Sequence, residues 1–150
     1  RFMNADYIVH FDGDGQHDER DIALLLKPLM ERQCDIVFGS RFLGTHQPGL
    51  SMPKRLTLRA GRWINYLLTG ILLTDAHNGL RAMNRKALDK IHFAQAGMAY
   101  ATEILDCVKK NSLKYLEVPV RIRYTDYSKG KGQTIMNAVN ILFHLLYKKN

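Results

Sequence analysis

Residues 7–39 constrain the fold more than any other part of the sequence. Tyr7-Ile8-Val9-His10-Phe11 is a short, β-prone apolar run that ends in Asp12-Gly13-Asp14-Gly15. That pattern is a buried strand entering a loop. From Asp18 to Gln33, the residues Ile22, Leu25, Leu26, Leu29 and Met30 share one helical face, while Glu19, Arg20 and Lys27 lie off it. Asp18 suits an N-cap, and Pro28 lies inside the pattern and allows a kink or a split. Asp35-Ile36-Val37-Phe38-Gly39 is a second buried strand. Strand, helix and strand at this spacing predict a βαβ unit, hence an α/β fold with a parallel sheet. In such sheets ligands bind beyond the carboxyl ends of the strands. Asp12-Gly13-Asp14 and Gly39-Ser40-Arg41 both fall there.

The rest of the chain continues as one domain. Its stretches are 1–44, 45–133 and a C-terminal helix in 134–150. Gly44 to Pro53 reads as an irregular loop, rich in Gly and Pro. Arg55 to Leu73 reads as a long helix with Leu56, Ala60, Trp63, Ile64, Leu67, Leu68 and Ile71 on its apolar side. A polar turn, Thr74 to Gly79, precedes a short strand over Leu80–Met83 and a short helix over Arg85–Ile91. Ala99–Lys110 predicts another helix, with Ile104, Leu105 and Val108 facing the core. Tyr115–Tyr124 alternates apolar and charged residues, as a half-exposed strand does. Thr125–Gln133 is a Gly-rich polar loop, and Thr134–Tyr147 is an apolar helix ending at Lys148-Lys149.

Composition narrows the class. Apolar residues make up 46% of the 150, which excludes a disordered chain. No apolar run reaches the length of about 18 residues that spans a bilayer. Cys34 and Cys107 sit in apolar stretches outside any metal spacing, so both read as core residues of a reducing compartment. The formal net charge of +8 points to anionic partners. It does not choose among phosphates, nucleic acid and an acidic membrane surface.

The sharpest chemical feature is Asp12-Gly13-Asp14-Gly15-Gln16-His17. Two carboxylates one residue apart, in a loop that glycine lets turn tightly, can hold one hard divalent cation. Mg²⁺ or Mn²⁺ would take oxygens from Asp12, Asp14 and Gln16, leaving positions for phosphate. The competing reading is a simple Asp/Gly turn. An EF-hand counted from Asp12 fails, because its sixth and twelfth positions hold His17 and Ala23. A dehalogenase-type phosphatase expects Thr where Gln16 stands. Arg41, Arg81, Arg121, Arg123, Lys129 and Lys131 lie near strand ends and loops, as phosphate ligands or as a solvated basic surface. Arg121 and Arg123 share one strand face, which favours a joint role. Asp75 and Glu103 are the candidate general bases, against a capping aspartate and a surface helix residue.

Taken in order, DGDGQH, DIVFGSRF, TDAHNGLRAMNRKAL, YATEIL and VPVRIRYTDYSKGKGQ resemble the family 2 glycosyltransferases. The likeness is to the branch of dolichyl-phosphate mannose synthases and bacterial polyprenyl-phosphate glycosyltransferases, and it covers nearly the whole chain. It implies a GT-A fold, a Rossmann-like mixed sheet flanked by helices. It also implies inverting transfer from a nucleotide diphosphate sugar. By resemblance, Asp12 and Asp14 are the metal-binding pair with Gln16 close by, and Arg41 binds phosphate. Asp75, Asn78, Gly79 and Arg81 line the donor and acceptor pocket, and Glu103 lies on the acceptor-side helix. Arg123, Ser128 and Lys129 belong to a loop closing over the phosphates. Two departures stand out. The family's opening segment, which binds base and ribose, has no counterpart, so this chain is expected to lack that half. The closing loop, Thr125-Asp126-Tyr127-Ser128-Lys129, lacks the usual glycine.

The expected activity is therefore metal-dependent transfer to a polyprenyl phosphate or glycan at the cytoplasmic membrane face. The loop 44–53 and the helix 134–147 are the expected membrane contacts. A sheet lacking its first strands would invite a homodimer. Two other readings are a non-catalytic fragment and a nucleic-acid module. The latter has only Tyr124 and Tyr127 beside Arg123 and Lys129 in its favour.

Overall fold

The computed structural model describes residues 4–43, 52–75, 78–91 and 99–123. Among these residues, four strands, β1 (Tyr7–His10), β2 (Ile36–Ser40), β3 (Arg81–Asn84) and β4 (Tyr115–Pro119), form one sheet in the order β1-β3-β2-β4. Four helices pack around it: α1 (Ile22–Met30), α2 (Met52–Thr69), α3 (Arg85–Lys90) and α4 (Ala99–Lys110). The sequence predicts β1 and β2 as a parallel βαβ pair, and they do run parallel. They are not neighbours, however. β3 lies between them, antiparallel to both, with Tyr7 opposite Asn84 and Ile36 opposite Met83. β4 adds to the far side of β2 in parallel, Ile36 opposite Tyr115. The sheet is thus mixed, as the GT-A expectation requires. Strand order is fixed by which strand can be covered on both faces, and β3, with Arg81, Ala82 and Met83 all buried, fills a central place.

Alternation along the strands splits the core in two. Ile36, Phe38 and Met83 face one layer, with Leu73, Ile104, Leu105 and Val108. Val37 and Ala82 face the other, with Leu25, Leu29, Leu80 and Val120. β2 is buried throughout because it is covered on both faces and flanked on both sides. Gly39 is needed where β2 ends. A Cβ there would sit 2.9 Å from the Leu80 carbonyl and 3.0 Å from the Val120 methyls.

α1 begins after a short 3-10 turn, Glu19–Asp21, which Asp18 caps by accepting from the Arg20 amide at 3.1 Å. Pro28 stays inside α1 without splitting it. It falls in the last turns, where the one missing amide removes little. Leu25 and Leu29 are buried, but Met30 is exposed. α3 starts at Asn84, whose side chain accepts from the Ala87 amide at 2.9 Å.

Two expectations need correction. Tyr115–Tyr124 is a strand only to Pro119, and Leu116, on the outermost of the described strands, is exposed. Of the residues on the expected apolar side of α2, Leu56, Ala60, Trp63 and Leu67 are exposed and Ile71, just past the helix, is buried, while the side chains of Ile64 and Leu68 lie outside the described ones; Asn65 and Thr69 are buried. Periodicity shows which residues share a helical face, not which face is covered. α2 ends at Gly70, in the left-handed region (φ +73°), with its amide on the Tyr66 carbonyl at 2.7 Å. No described helix is long and apolar enough to cross a membrane. Of the expected contacts, the helix 134–147 and residues 44–51 of the loop 44–53 lie outside the described residues, while Met52 and Pro53 already belong to α2.

Candidate active site at the carboxyl edge of the sheet

The carboxyl ends of β1, β2 and β4 meet the start of antiparallel β3, so four chain segments reach one edge of the sheet. β1 delivers the Asp12–Asp14 loop. Gly15 turns it through the left-handed region (φ +74°), and Asp14 Oδ1 accepts from the Gln16 amide at 3.0 Å. The Asp12 side chain is 44% exposed and lies between two imidazoles. His10 Nδ1 stands 3.8 Å from Oδ1, and the buried His17 Nε2 stands 3.8 Å from Oδ2. These are ion-pair distances, longer than a good hydrogen bond. The His17 imidazole, with His10 and Arg81 adding positive charge, holds the Asp12 carboxyl below its ordinary range against the opposing effect of burial. The site therefore favours the ionised form that a cation needs.

Gly79 lies directly against Asp12; a Cβ at that position would land on the carboxylate. Its carbonyl faces His10 Nδ1 at 2.9 Å. The Arg81 guanidinium is buried and grips the backbone behind this contact, donating to the carbonyls of Gly79 (3.2 Å) and Asn78 (3.1 Å). Asn78 accepts from the Leu80 amide at 3.0 Å and donates to Asp75 at 3.3 Å.

β2 delivers Ser40 and Arg41. Arg41 donates through its backbone amide (3.1 Å) and Nε (2.6 Å) to Asp75 Oδ2. The Asp75 side chain is 1% exposed and that of Arg41 12%. A nearly dry pair of this kind holds the guanidinium in one orientation. The turn carrying Asp75 is itself held by Glu117 of β4, which accepts from the Thr74 amide at 2.8 Å and the Thr74 hydroxyl at 2.8 Å. Ser40 and Thr74 share a hydroxyl hydrogen bond of 2.6 Å.

The chain after β4 is fastened to the Asp12–Asp14 loop. His17 pairs with Ile122, and the Arg123 amide donates to the Gln16 carbonyl at 2.8 Å. Asp18 and Asp21, both buried, anchor it. Arg121 donates to Asp21 from its amide and guanidinium (each 2.6 Å), and Arg123 donates to Asp18 at 2.8 Å. Arg20 binds Asp18 as well, at 2.8 Å, and holds its carboxyl well below the usual carboxylate range. The shared face of Arg121 and Arg123 is thus used jointly, on a pair of buried aspartates.

The structure brings Asp12, Asp14, Gln16, Arg41, Asp75, Asn78 and Arg81 to one edge, with Arg123 beside them. Glu103 is half-buried on α4, next to the core residue Ile104. Ser128 and Lys129 lie outside the described residues. Burial and the Asp35 charge raise the Cys34 thiol to about 11, which suits a core residue. Sequence reasoning missed His10 and Glu117. His10 reads as one strand residue among apolar ones, and Glu117 as the outward partner in an alternating strand. His17 was visible only as the histidine nearest the loop.

Among the described residues no three His, Cys, Asp or Glu side chains form a closed metal cage. Mg²⁺ does not require one. It is commonly held by one or two carboxylates plus substrate phosphates, and half-exposed Asp12 and exposed Asp14 fit that donor set.

The family model for glycosyl transferase family 2 matches residues 1–92. A UDP-N-acetylglucosamine–dolichyl-phosphate N-acetylglucosaminyltransferase of Methanococcus voltae is 34% identical over 150 residues, 98% of this chain and 60% of that protein. An uncharacterised protein of Methanocaldococcus jannaschii is 33% identical over 145 residues, 95% of this chain and 60% of that protein. A low-salt glycan biosynthesis hexosyltransferase of Haloferax volcanii is 31% identical over 125 residues, covering 79% of this chain and 29% of that protein. The chain thus spans 60% of the length of the first two relatives. With its mixed sheet, its Asp12–Asp14 loop and a family match over more than half its length, the chain belongs to glycosyl transferase family 2.

Proposed function

We propose that this chain is the metal-binding and acceptor-side part of an enzyme that transfers a sugar, with inversion, from a nucleotide diphosphate sugar to a polyprenyl phosphate. The convergence of the Asp12–Asp14 loop, the Arg41–Asp75 pair and the Asn78–Arg81 turn on one sheet edge carries this reading. Asp12 and Asp14, with Gln16 adjacent, would hold Mg²⁺ or Mn²⁺. Such an ion neutralises charge on the departing diphosphate. The His17 and His10 imidazoles flank the Asp12 carboxylate, and Gly79 leaves the room it occupies.

Arg41, oriented by Asp75, supplies a fixed cation where negative charge develops as the sugar–phosphate bond breaks. Arg123, with Ser128 and Lys129 by family resemblance, would add to it from the closing segment. A phosphate acceptor is already an anion and attacks without a base. A sugar hydroxyl would need Asp75 or Glu103 to take its proton. Asp75 is buried and committed to Arg41 and Asn78, which favours the phosphate. The dolichyl-phosphate acceptor in the name of the Methanococcus voltae relative supports the same choice.

The test is transfer from UDP- and GDP-sugars to a polyprenyl phosphate by the full-length protein, with and without Mn²⁺. Asp14→Asn should cut turnover at least about a hundredfold while leaving the circular dichroism spectrum unchanged. Full activity in that variant would remove the metal role from this loop.

A further inference from the structure

Glu117 lies on β4 opposite Phe38 of β2 and is half-buried. Both of its carboxylate oxygens accept from the Thr74 amide, at 2.8 and 2.9 Å. Oε1 also accepts from the Thr74 hydroxyl at 2.8 Å and from the Asp75 amide at 3.3 Å. Thr74 and Asp75 lie in neither helix nor strand, so no ladder supplies partners for these amides. One side chain from the sheet does so instead.

The direction of these hydrogen bonds follows from their chemistry. A carboxylate only accepts, so the Thr74 hydroxyl gives its single proton to Glu117. The 2.6 Å contact between Thr74 Oγ1 and Ser40 Oγ must then have Ser40 as donor. Ser40 Oγ in turn accepts from the Phe42 amide at 3.2 Å. A one-way chain therefore runs from Phe42 through the buried Ser40 and Thr74 to Glu117, each member polarising the next. Arg41 stands between Ser40 and Phe42, so this chain fixes its backbone. Its guanidinium is fixed by Asp75 Oδ2, 2.6 Å from Nε, and Asp75 is placed by the same turn. Arg41 is thus held from two directions, and both lead back to Glu117.

We propose that Glu117 is the positioning residue for Arg41. It sets the orientation of the guanidinium through the Thr74–Asp75 turn and touches neither sugar nor phosphate itself. Its bearing on transfer rests on the place given above to Arg41, beside the departing diphosphate; its hold on Arg41 does not. Orientation matters there because a cation helps most when it is already aimed before charge develops.

The experiment is proton exchange of the Arg41 Nε–H, followed by heteronuclear NMR in the full-length protein without substrates, the signal being assigned through Arg41→Lys. Arg121 Nε, which donates to Asp21 at 3.0 Å, is the internal control. Glu117→Gln should speed exchange at Arg41 at least about tenfold and leave Arg121 within about twofold. The same variant should lower kcat at least about tenfold with donor KM changed less than about threefold, because the aimed cation is needed chiefly in the transition state. Thr74→Val cuts the hydroxyl chain but leaves the backbone amide on Glu117. It should speed exchange by a smaller factor, and Thr74→Ser should keep the wild-type value; this pair carries the test should Glu117→Gln not fold. Unchanged exchange at Arg41 in Glu117→Gln would overturn the inference, since Asp75 would then hold Arg41 unaided. An equal rise at Arg121 would also overturn it, leaving Glu117 a general stabiliser of the sheet edge. Equal exchange in Thr74→Val and Thr74→Ser would overturn the hydroxyl chain. Faster exchange at Arg41 with kcat unchanged would uphold Glu117 as its holder and count against Arg41 in transfer, so the two readings fail separately.

Discussion

α1 and α2 present the same kind of pattern and resolve it in opposite ways. Both carry leucines at helical spacing. α1 turns Leu25 and Leu29 into the sheet, where they are fully buried with Val37, Leu80 and Ala82. Among its described side chains, α2 buries Asn65 and Thr69 and leaves Leu56 and Leu67 outside. The difference lies in what each helix connects. α1 is the crossover between β1 and β2 and must lie on the sheet that those strands build. α2 packs mainly on α4 rather than on a strand. An amphipathic pattern thus fixes a face, and topology decides whether that face meets core or something outside the chain.

Substitutions at matched leucines are the sharpest way to break this contrast. Leu29→Ala should cost about 2–5 kcal/mol in urea unfolding, because it opens a cavity at a fully buried site. A loss below about 1 kcal/mol there would place α1 elsewhere. Next in size is Asn84→Ala, which removes the cap of α3 and should cost about 1 kcal/mol. Smallest is Leu67→Ser on α2, expected to change stability by no more than about 0.5 kcal/mol. A cost like that of Leu29→Ala would mean that Leu67 is packed after all.

Acid titration separates the sheet from both helices. Asp35 precedes β2 and binds Lys86 Nζ at 2.9 Å, the Lys114 amide at 2.9 Å and Asn84 Nδ2 at 3.2 Å. Burial would raise its pKa, but these partners outweigh burial and lower it below 3.8. A carboxyl depressed on folding adds stability above its unfolded pKa and loses it as pH falls through the folded value. Lys86→Met should therefore reduce stability near neutral pH and flatten its decline below about pH 4. An unchanged acid limb would show that Lys86 contributes nothing to Asp35.

The sequence carried local structure well and long-range pairing poorly. The Ala99–Lys110 helix has its expected ends, and β3 and α3 differ from expectation by a residue at most at each end. Asp12-Gly13-Asp14 and Gly39-Ser40-Arg41 were legible as strand-end segments because strand and loop signals are local. Several things were not. The place of β3 between β1 and β2 depends on burial across the whole sheet. Glu117 gives no sign in its own strand that it caps a turn 43 residues earlier. Arg121 and Arg123 could be seen to share a face, but Asp21, 100 residues before Arg121, could not be named as partner. The buried Asp18–Asp21 pair reads in sequence as a helix start and nothing more.

The central claim is that the sheet edge holds a nucleotide diphosphate through a cation on Asp12 and Asp14. Calorimetric titration of the full-length protein with UDP and with GDP, each with and without Mn²⁺, tests it most directly. The account predicts Mn²⁺-dependent binding of one of the two nucleotides, lost in Asp14→Asn. Binding that ignores Mn²⁺, or that survives Asp14→Asn unchanged, would contradict it.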